Sequence, residues 1–297
     1  MTTRAISNEE AFAKAATLTE ALPWIRRFQG AIFVIKLGGN AMVDEELLSA
    51  FADDMVFLRT VGLLPVVVHG GGPQISHALQ ERGIASEFRG GYRVTSTEAI
   101  PVIREVLREG ISEDLASRIN RQGDLAVVLS GEDEGLFHAT RKGVVVDGVE
   151  VDLGHVGEVV TVDPTSVHAV VERGKIPVIS SMAPEQGSGS LLNVNADAAA
   201  AALAIALGAE KLVLLTDVQG LYADWPDTTT LISTITTEEL EGILPRLESG
   251  MIPKMTACLD AVGAGVPKAA IIDGRLAHSV LLEAFTEEGI GTEVVAK

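Results

Sequence analysis

Apolar runs and amphipathic helical segments alternate along most of the chain. Residues 32–35 and 64–68 are apolar runs, and residues 45–61 between them carry apolar positions at helical spacing. Near-continuous apolar strands are typical of a sheet covered on both faces, so the pattern predicts an α/β fold with a mainly parallel sheet. Further apolar runs of the same kind follow at residues 125–129, 176–179, 212–215 and 269–272.

Two capping boxes predict helix starts. Ser7 and Glu10 form a Ser-x-x-Glu box before an amphipathic segment, which Pro23 should kink or end. Thr95 and Glu98 form a second box, which predicts a helix that continues to about residue 122. The N-terminal helix must bury its apolar stripe, either on its own domain or against another subunit.

Residues 136–162 break the alternation. Valines alternate with polar residues around the dipeptide Asp147-Gly148, which predicts antiparallel hairpins laid against the main sheet. Residues 195–208 are alanine-rich and strongly helical. If the chain has two lobes, the join is expected near Gly208.

The composition restricts the classes of partner. The 297 residues include 41 Asp and Glu against 23 Lys and Arg, and the net charge of −18 argues against nucleic acid and anionic membranes. No apolar run is long enough for a membrane span. The single cysteine, Cys258, excludes an intrachain disulfide and fits a reducing cytoplasm. An anionic ligand would need local positive charge, so lysines and arginines near glycines are the candidates to follow.

Two strand ends carry glycine-rich turns. Residues 36–39 (Lys-Leu-Gly-Gly) place a lysine at the end of a buried strand, which is costly unless its ammonium group reaches an opening or an anion. Residues 69–73 (His-Gly-Gly-Gly-Pro) precede a helix, whose N-terminal N–H groups can hold an anion. A strand-to-turn junction and a simple tight turn are the plainer interpretations. His69 is expected to be a structural hydrogen-bonding group, because no companion acid is visible.

Other polar residues also suit an anionic ligand. Arg93 can hold a carboxylate with two parallel hydrogen bonds, and Lys254 lies in the opening turn of a helix, where an anion would offset its charge. Residues 193–197 (Asn-Val-Asn-Ala-Asp) are either helix caps or side chains aimed in one direction. Residues 217–221 follow a strand and fit a nucleotide loop or an ordinary turn. A surface position is the plainer interpretation for Arg93 and Lys254.

Taken together, these motifs resemble the amino-acid kinase superfamily and, within it, the acetylglutamate kinases. The resemblance covers residues 31–297 and depends on the order and spacing of motifs that begin at Lys36, His69, Gly91, Gly154, Asn193, Leu215 and Gly250. It implies a three-layer αβα sandwich of two lobes with a kinked N-terminal helix. Residues 1–30 would serve oligomerisation, residues 31–208 would bind the acyl amino acid, and residues 209–297 would bind ATP and contain an arginine site.

The same resemblance implies a reaction. The γ-phosphoryl group of ATP, with Mg²⁺, would pass to the side-chain carboxylate of N-acetyl-L-glutamate in L-arginine biosynthesis. No general base is required, because a carboxyl group with a pKa of about 4.3 is already ionised at neutral pH. No resident metal site is expected. The implied catalytic residues are Lys36, Lys254 and Asp197; the substrate-binding residues are Gly71, Gly72, Arg93, Asn193 and Asn195; the nucleotide-binding residues are Gly38, Gly39, Asp217, Val218, Gly220, Leu221 and Tyr222.

The resemblance also implies regulation. Forms of the family that arginine inhibits carry an extra N-terminal helix, kinked near a Leu-Pro, that links dimers into a hexamer, and residues 7–28 are similar to it. The tail resembles their arginine site, with His278 and Glu287 as the expected contacts. L-arginine is therefore the expected inhibitor, and a hexameric homo-oligomer in the cytoplasm is the expected assembly.

Two other functions stay open. A sister kinase would act on another acylated amino acid, of the aminoadipate type. A non-catalytic amino-acid sensor on the same fold is the second, although the presence of both Lys36 and Lys254 argues against it. A nicotinamide-binding Rossmann enzyme is disfavoured, because the full Gly-x-Gly-x-x-Gly pattern is missing after the first strand.

Overall fold

A computed structural model describes residues 7–146, 148–287 and 289–297. The α-helices are α1 (Asn8–Arg27), α2 (Glu45–Thr60), α3 (Gly72–Glu81), α4 (Ala99–Arg104), α5 (Glu113–Asn120), α6 (Thr165–Glu172), α7 (Ala196–Ala206), α8 (Thr237–Ile243), α9 (Ile252–Gly263) and α10 (Ser279–Phe285). A π-helical segment (Glu105–Ser112) connects α4 to α5 without a break. The strands are β1 (Ile32–Leu37), β2 (Leu64–His69), β3 (Glu87–Arg89), β4 (Tyr92–Val94), β5 (Ala126–Ser130), β6 (Phe137–Val146), β7 (Val149–Val162), β8 (Ile176–Ser180), β9 (Met182–Pro184), β10 (Leu191–Val194), β11 (Lys211–Thr216), β12 (Leu221–Tyr222), β13 (Leu231–Ile232), β14 (Thr234–Thr236), β15 (Lys268–Asp273) and β16 (Thr292–Val295).

Eight strands form the central sheet in the order β14-β16-β15-β11-β1-β2-β8-β5. Neighbouring strands are parallel except for β15 and β16. The predicted mainly parallel sheet is confirmed, and each of the six apolar runs identified in the sequence forms one of its strands. The edge strands β14 and β16 had no clear apolar run to predict them.

Helices cover both faces of this sheet and bury two separate apolar cores. Along β1 the side chains alternate, so Phe33 and Ile35 belong to the core with α2, the π-helical segment and α5. Val34 points the other way, into the core with α7 and α9. The predicted αβα layering is therefore confirmed, and Lys36, two residues after Val34, points to the side of α7 and α9.

A four-stranded sheet lies beside the main one. Strands β6 and β7 pair as an antiparallel hairpin, as the alternating valines predicted, and β10 and β9 extend the sheet in the order β6-β7-β10-β9. Gly148 is at the hairpin turn with φ +78°, and Asp147 lies outside the described residues. The last residues of β10 lead directly into α7.

Helix α1 is anchored only at its C-terminal end. The predicted capping box forms, with Ser7 Oγ accepting from the Glu10 N–H and the Glu10 carboxylate accepting from the Ser7 N–H. The helix runs through Pro23 to Arg27, so Pro23 does not end it. Phe28, which follows α1, is buried with its ring 5.0 Å from that of Phe33. No residue of α1 is fully buried: Trp24 near its end packs partly against the core, whereas the apolar side chains in its first part face solvent.

The second predicted capping box is wrong. Thr95 is fully buried and bridges to Gly154 as an extended residue, and its hydroxyl donates to the carbonyl oxygen of Arg93. The helix begins at Ala99 instead, whose N–H donates to Ser96 Oγ. Pairing with β7 therefore places Thr95, which the local pattern assigned to the helix, in an extended segment.

Two findings concern the composition. Cys258 lies buried on α9 as a free thiol. Within the described part of the chain, no helix combines the length and the apolar character that a membrane crossing requires.

Candidate functional site

The carboxyl ends of β1, β2 and β11 meet at the centre of the main sheet. β1 pairs in parallel with β2 on one side and with β11 on the other, so the loops after these strands open at one edge. Parallel α/β sheets bind ligands at such an edge, where neighbouring connections leave in opposite directions. The glycine turns and the loop that begins at Asp217 all lie there.

Two lysines contact one buried carboxylate at this edge. Nζ of Lys36 lies 2.7 Å from Oδ1 of Asp197, an ion contact that is not aligned as a hydrogen bond. Nζ of Lys254 lies 3.0 Å from Oδ2 and donates a hydrogen bond to it. Lys36 comes from β1, Asp197 from the first turn of α7 and Lys254 from the first turn of α9. The three residues expected to be catalytic therefore lie together.

The charges in this cluster affect the pKa values of Asp197 and Lys36. Burial alone would raise the pKa of Asp197, but the charges of Lys36 and Lys254 outweigh it and lower that pKa to about 2. Burial lowers the pKa of Lys36, an effect that Asp197 opposes and Lys254 reinforces. Two ammonium groups on one carboxylate leave a surplus of positive charge in a desolvated place. Such a cluster can bind an anion such as a phosphoryl group.

The glycines after β1 leave room for this cluster. A Cβ at Gly38 would clash with the ammonium group of Lys36. Gly39 has φ +72°, and a Cβ there would lie 2.8 Å from the carboxyl carbon of Asp217. Asp217 in turn accepts from the Asn40 N–H at 2.7 Å. The carboxylate of Asp217 thus holds the turn after β1 against the loop after β11.

A cavity of about 160 Å³ contains the residues expected to bind the acyl amino acid. Arg93 on β4 lines it and is only 7% exposed, and no ion pair of the described residues includes it. Its guanidinium donates to the carbonyl oxygen of Gly72 at 3.0 Å and to Ser76 Oγ at 2.8 Å, and it lies 4.6 Å from the ring centre of Phe88. A buried cation without an anionic partner is costly, so the cavity favours an anionic ligand. Its lining includes Gly70, Gly71, Gly72, Arg93, Asn193 and Asn195.

Asn193 and Asn195 line the same cavity but form hydrogen bonds to different segments of the chain. Nδ2 of Asn193 donates to Thr95 Oγ1 at 3.3 Å, which connects β10 to the extended residue that follows β4. Asn195 caps α7, because its Oδ1 accepts from the Asp197 N–H at 2.9 Å. The cap fixes the first turn of α7 and with it the position of Asp197.

A second cavity lies beside the loop after β11 and contains most of the residues expected to bind the nucleotide. The sequence analysis missed Trp225, whose ring centre lies 5.2 Å from that of Tyr222. The pair forms an aromatic wall suited to a flat base. A tryptophan three residues after Tyr222 was the available signal. The lining includes Val218, Gly220, Leu221, Tyr222, Trp225 and Met251.

The two residues expected to contact arginine lie apart. Glu287 lines a cavity between the end of α1 and the C-terminal strands, together with Trp24, Lys211 and Glu283. Lys211 is buried there and donates to Glu283 at 2.6 Å and to Glu293 at 3.0 Å. His278 lies elsewhere, with Nδ1 2.6 Å from Oδ1 of the buried Asp54.

A larger cavity, of about 490 Å³, lies on the outer side of the π-helical segment. It is lined by apolar residues such as Met42 and Leu115 and by carboxylates such as Glu109, and it includes none of the expected site residues. Size alone therefore does not identify the site, and the cluster of charges does.

Comparison with known proteins gives consistent matches. Residues 31–273 match the amino acid kinase family. The acetylglutamate kinase of Clavibacter michiganensis subsp. michiganensis is 64% identical over 287 residues, which cover 96% of this chain and 95% of that protein. Among solved structures, N-acetylglutamate synthase from Neisseria gonorrhoeae complexed with coenzyme A and N-acetyl-glutamate has a TM-score of 0.80 at 26% identity, over 95% of this chain. The same synthase complexed with coenzyme A and L-arginine has a TM-score of 0.78 at 25% identity, also over 95% of this chain. This chain spans 63% and 65% of those two structures.

Proposed function

Because this chain belongs to the amino acid kinase family and, within it, to the acetylglutamate kinases, we propose that it phosphorylates the side-chain carboxylate of N-acetyl-L-glutamate with ATP. The product is N-acetyl-L-glutamyl 5-phosphate, and the pathway is L-arginine biosynthesis in the cytoplasm. One observation carries the proposal. The ammonium groups of Lys36 and Lys254, far apart in the chain, contact the same buried carboxylate of Asp197.

The reaction needs no proton transfer. An oxygen of the substrate's side-chain carboxylate forms a bond to the γ-phosphorus of ATP, while the bond from that phosphorus to the β–γ bridging oxygen breaks. ADP leaves with the bridging oxygen and its electron pair. The nucleophile is already ionised at neutral pH, so the transfer requires no general base.

Charge repulsion is the barrier that the site must lower. Two like unit charges ~4 Å apart repel by roughly 4 kcal/mol at an effective dielectric constant near 20. Lys36 and Lys254 offset that repulsion and stabilise charge on the phosphoryl group during transfer, while Asp197 keeps both ammonium groups in position. The backbone N–H groups of Gly38 and Gly39 add fixed donors.

Mg²⁺ enters with ATP as part of the nucleotide substrate. Over the described ranges, no three His, Cys, Asp or Glu side chains are grouped so as to hold a metal ion. The proposal assigns the ion to the phosphate oxygens of ATP, because Mg²⁺ is usually bound through substrate phosphates and there adds to the charge that the lysines supply.

Each cavity has one substrate in this proposal. The acyl amino acid occupies the cavity of about 160 Å³ in the lobe of residues 31–208, where Arg93 binds its α-carboxylate and Gly71, Gly72, Asn193 and Asn195 complete the contacts. ATP occupies the lobe of residues 209–297, with its base beside Tyr222 and its phosphates toward Lys254. Asp217 supports the nucleotide site by accepting a hydrogen bond from the Asn40 N–H in the turn after β1.

L-arginine is the proposed inhibitor, and the cavity at the end of α1 is its proposed site. Glu287 and Glu283 offer carboxylates for a guanidinium group, and Lys211 offers a cation for an α-carboxylate. Trp24 brings α1 into the same cavity. His278 lies beside Asp54 instead, so its contribution to arginine binding would be indirect.

Helix α1 is also the proposed oligomerisation element. Phe12 and Leu18 are 77% and 72% exposed, and Leu22 is also exposed. Exposed apolar residues on one helix are typical of a protein interface. We propose that residues 1–30 connect copies of the chain into a hexamer.

A coupled assay of ADP release tests the reaction. N-acetyl-L-glutamate, L-glutamate and N-acetyl-L-aminoadipate are compared, each with and without L-arginine. Release that requires N-acetyl-L-glutamate and falls with arginine supports the proposal. Preference for the longer substrate would favour an aminoadipate-type kinase, and arginine binding without turnover would favour a non-catalytic sensor.

A further inference from the structure

A buried polar pair, His69 and Ser112, is not used by the chemistry proposed above. His69 ends β2, Ser112 ends the π-helical segment, and both residues are fully buried. Nε2 of the imidazole lies 2.6 Å from Ser112 Oγ, and Nδ1 lies 3.0 Å from the carbonyl oxygen of Gly70. The pair therefore joins the π-helical segment to the glycine turn at residues 70–72.

The contacts fix the tautomer of His69. A carbonyl oxygen cannot donate, so Nδ1, which faces Gly70, carries the hydrogen and donates it. Nε2 then accepts the one hydrogen of the Ser112 hydroxyl at 2.6 Å, and the carbonyl oxygen of Leu107 at 3.0 Å is the weaker, competing acceptor for it. Burial, reinforced by Lys36 and opposed by the bond to Gly70, lowers the pKa of His69 to about 4, so the ring is neutral at pH 7.

The π-helical geometry is what brings Ser112 to this face. In an α-helix, Ser112 would lie about 140° around the axis from Leu107. The wider turn of a π-helix, with bonds from residue i to i+5, places these two residues on nearly the same side. Ser112 Oγ is accordingly 3.0 Å from the carbonyl oxygen of Leu107, five residues earlier.

The same face packs directly against the glycine turn. A Cβ at Gly71 would lie 2.5 Å from Cδ1 of Ile111 and 2.9 Å from Cδ2 of Leu107. Leu107 also lines the cavity that contains Gly71 and Arg93. Leu107, Ile111 and Ser112 thus contact the turn from one side, and π-turns are frequent at functional sites.

We propose that His69, Ser112 and the π-helical segment position the glycine turn at residues 70–72, in which the backbone N–H groups of Gly71 and Gly72 bind the acyl amino acid. The inference rests on the proposed function, because it assigns a support to the acceptor cavity. His69 and Ser112 act through the turn and touch no reacting atom, so they are positioning residues.

Steady-state kinetics of Ser112→Ala, His69→Asn and the double variant test this assignment. His69→Asn keeps a donor near Gly70 and loses the Nε2 acceptor. Each single variant should raise the KM for N-acetyl-L-glutamate about fivefold with the KM for ATP unchanged. The double variant should be no worse than either single one, because both remove the same bond. Ser130→Ala is the matched control, since Ser130 is equally buried, ends β5 on the far side of β8 from β2, and accepts a hydrogen bond from the Ser180 hydroxyl.

Amide hydrogen exchange separates this inference from the proposed function. The amide of Gly70, which donates to the carbonyl oxygen of Leu37 at 3.3 Å, should exchange faster in Ser112→Ala than in the wild type or in Ser130→Ala, whatever substrate the enzyme uses. If Ser112→Ala does not fold, His69→Asn gives the same comparison. Wild-type protection of the Gly70 amide in both variants, or equal KM changes in Ser112→Ala and Ser130→Ala, would overturn the inference. No turnover by the wild type would instead refute the proposed function alone.

Discussion

At the scale of single residues, the site depends on the charge that Asp197 keeps while it is buried. A carboxylate removed from water is stable only when cations or donors surround it. Lys36 and Lys254 supply those cations. The contacts with Asp197 replace the water that their ammonium groups lose on burial. The geometry is therefore set before any ligand arrives, which is the condition for electrostatic catalysis without reorganisation.

Removal of either lysine should affect turnover more than nucleotide binding. Lys36→Ala or Lys254→Ala should lower kcat by about 10²–10³-fold, because each ammonium group contributes most when charge moves onto the phosphoryl group. The KM for ATP should change by less than about threefold. Lys175→Ala is the control, because Lys175 is similarly exposed and pairs with Asp124 away from the cavities. A kcat near that of the wild type in either variant would remove the assigned role.

Arg93 should determine affinity for the acyl amino acid. Arg93→Lys keeps the charge but loses the planar pair of donors, so the KM for N-acetyl-L-glutamate should rise about 10–100-fold while the KM for ATP stays constant. Arg89→Lys, on the neighbouring strand β3 and exposed, should change neither value. Equal effects of the two substitutions would contradict the assignment.

At the scale of elements, the Asp54–His278 contact connects α2 to the start of α10. Asp54 is 1% exposed, and burial raises its pKa to about 6 against the opposing hydrogen bond from His278. Between about pH 4 and pH 6 the folded state therefore binds a proton that the unfolded state has released. This group's contribution to stability is present at low pH and is lost as the pH rises through about 6.

Unfolding by urea at several pH values tests that coupling. From pH 4 to pH 7.5 the free energy of unfolding of the wild type should fall relative to that of Asp54→Asn, by up to roughly 3 kcal/mol. Glu46→Gln, at an exposed position of the same helix, should run parallel to the wild type. A constant difference between wild type and Asp54→Asn across this range would show that the raised pKa is wrong.

The elements also differ in how far local sequence predicts them. The Ser7 box forms from exposed residues, whereas Thr95 lies in a buried strand pairing that replaces the local cap. The π-helical segment had no local signal, and the residues it contacts, His69 and Gly71, lie far away in the sequence. Hydrophobic periodicity predicted the long buried elements. Thr95 and the π-helical segment are exceptions that depend on tertiary packing.

At the scale of the whole molecule, α1 connects the proposed regulatory cavity to the proposed assembly. Its exposed apolar stripe lies in the first part of the helix, while Trp24 and Phe28 at its end line the cavity and pack on the core. A ligand in that cavity would therefore contact the end of an element whose other end is proposed to bind a neighbouring copy. Inhibition and assembly are expected to be coupled for this reason.

Truncation should separate these two parts of α1. Deletion of residues 1–22 retains Trp24 and Phe28 and should give smaller oligomers in sedimentation velocity, together with weaker inhibition by L-arginine. Trp24→Ala in the full chain should keep the oligomer and weaken only the response to arginine. A truncated protein with an unchanged hexamer and full inhibition would contradict the role of α1.

The sequence by itself determined the elements whose stabilisation is local or periodic. The buried strands, the alanine-rich helix α7 and the glycine turns follow from apolar spacing and backbone freedom, and the motif order indicated the family that the comparisons then matched. Only the tertiary structure decided which charges meet. Lys36, Asp197 and Lys254 are brought together by parallel strand order and two helix starts, and the separation of His278 from Glu287 likewise depends on packing. Contacts between residues far apart in the chain have no local signature, because the free energy that selects them comes from burial across the whole sheet.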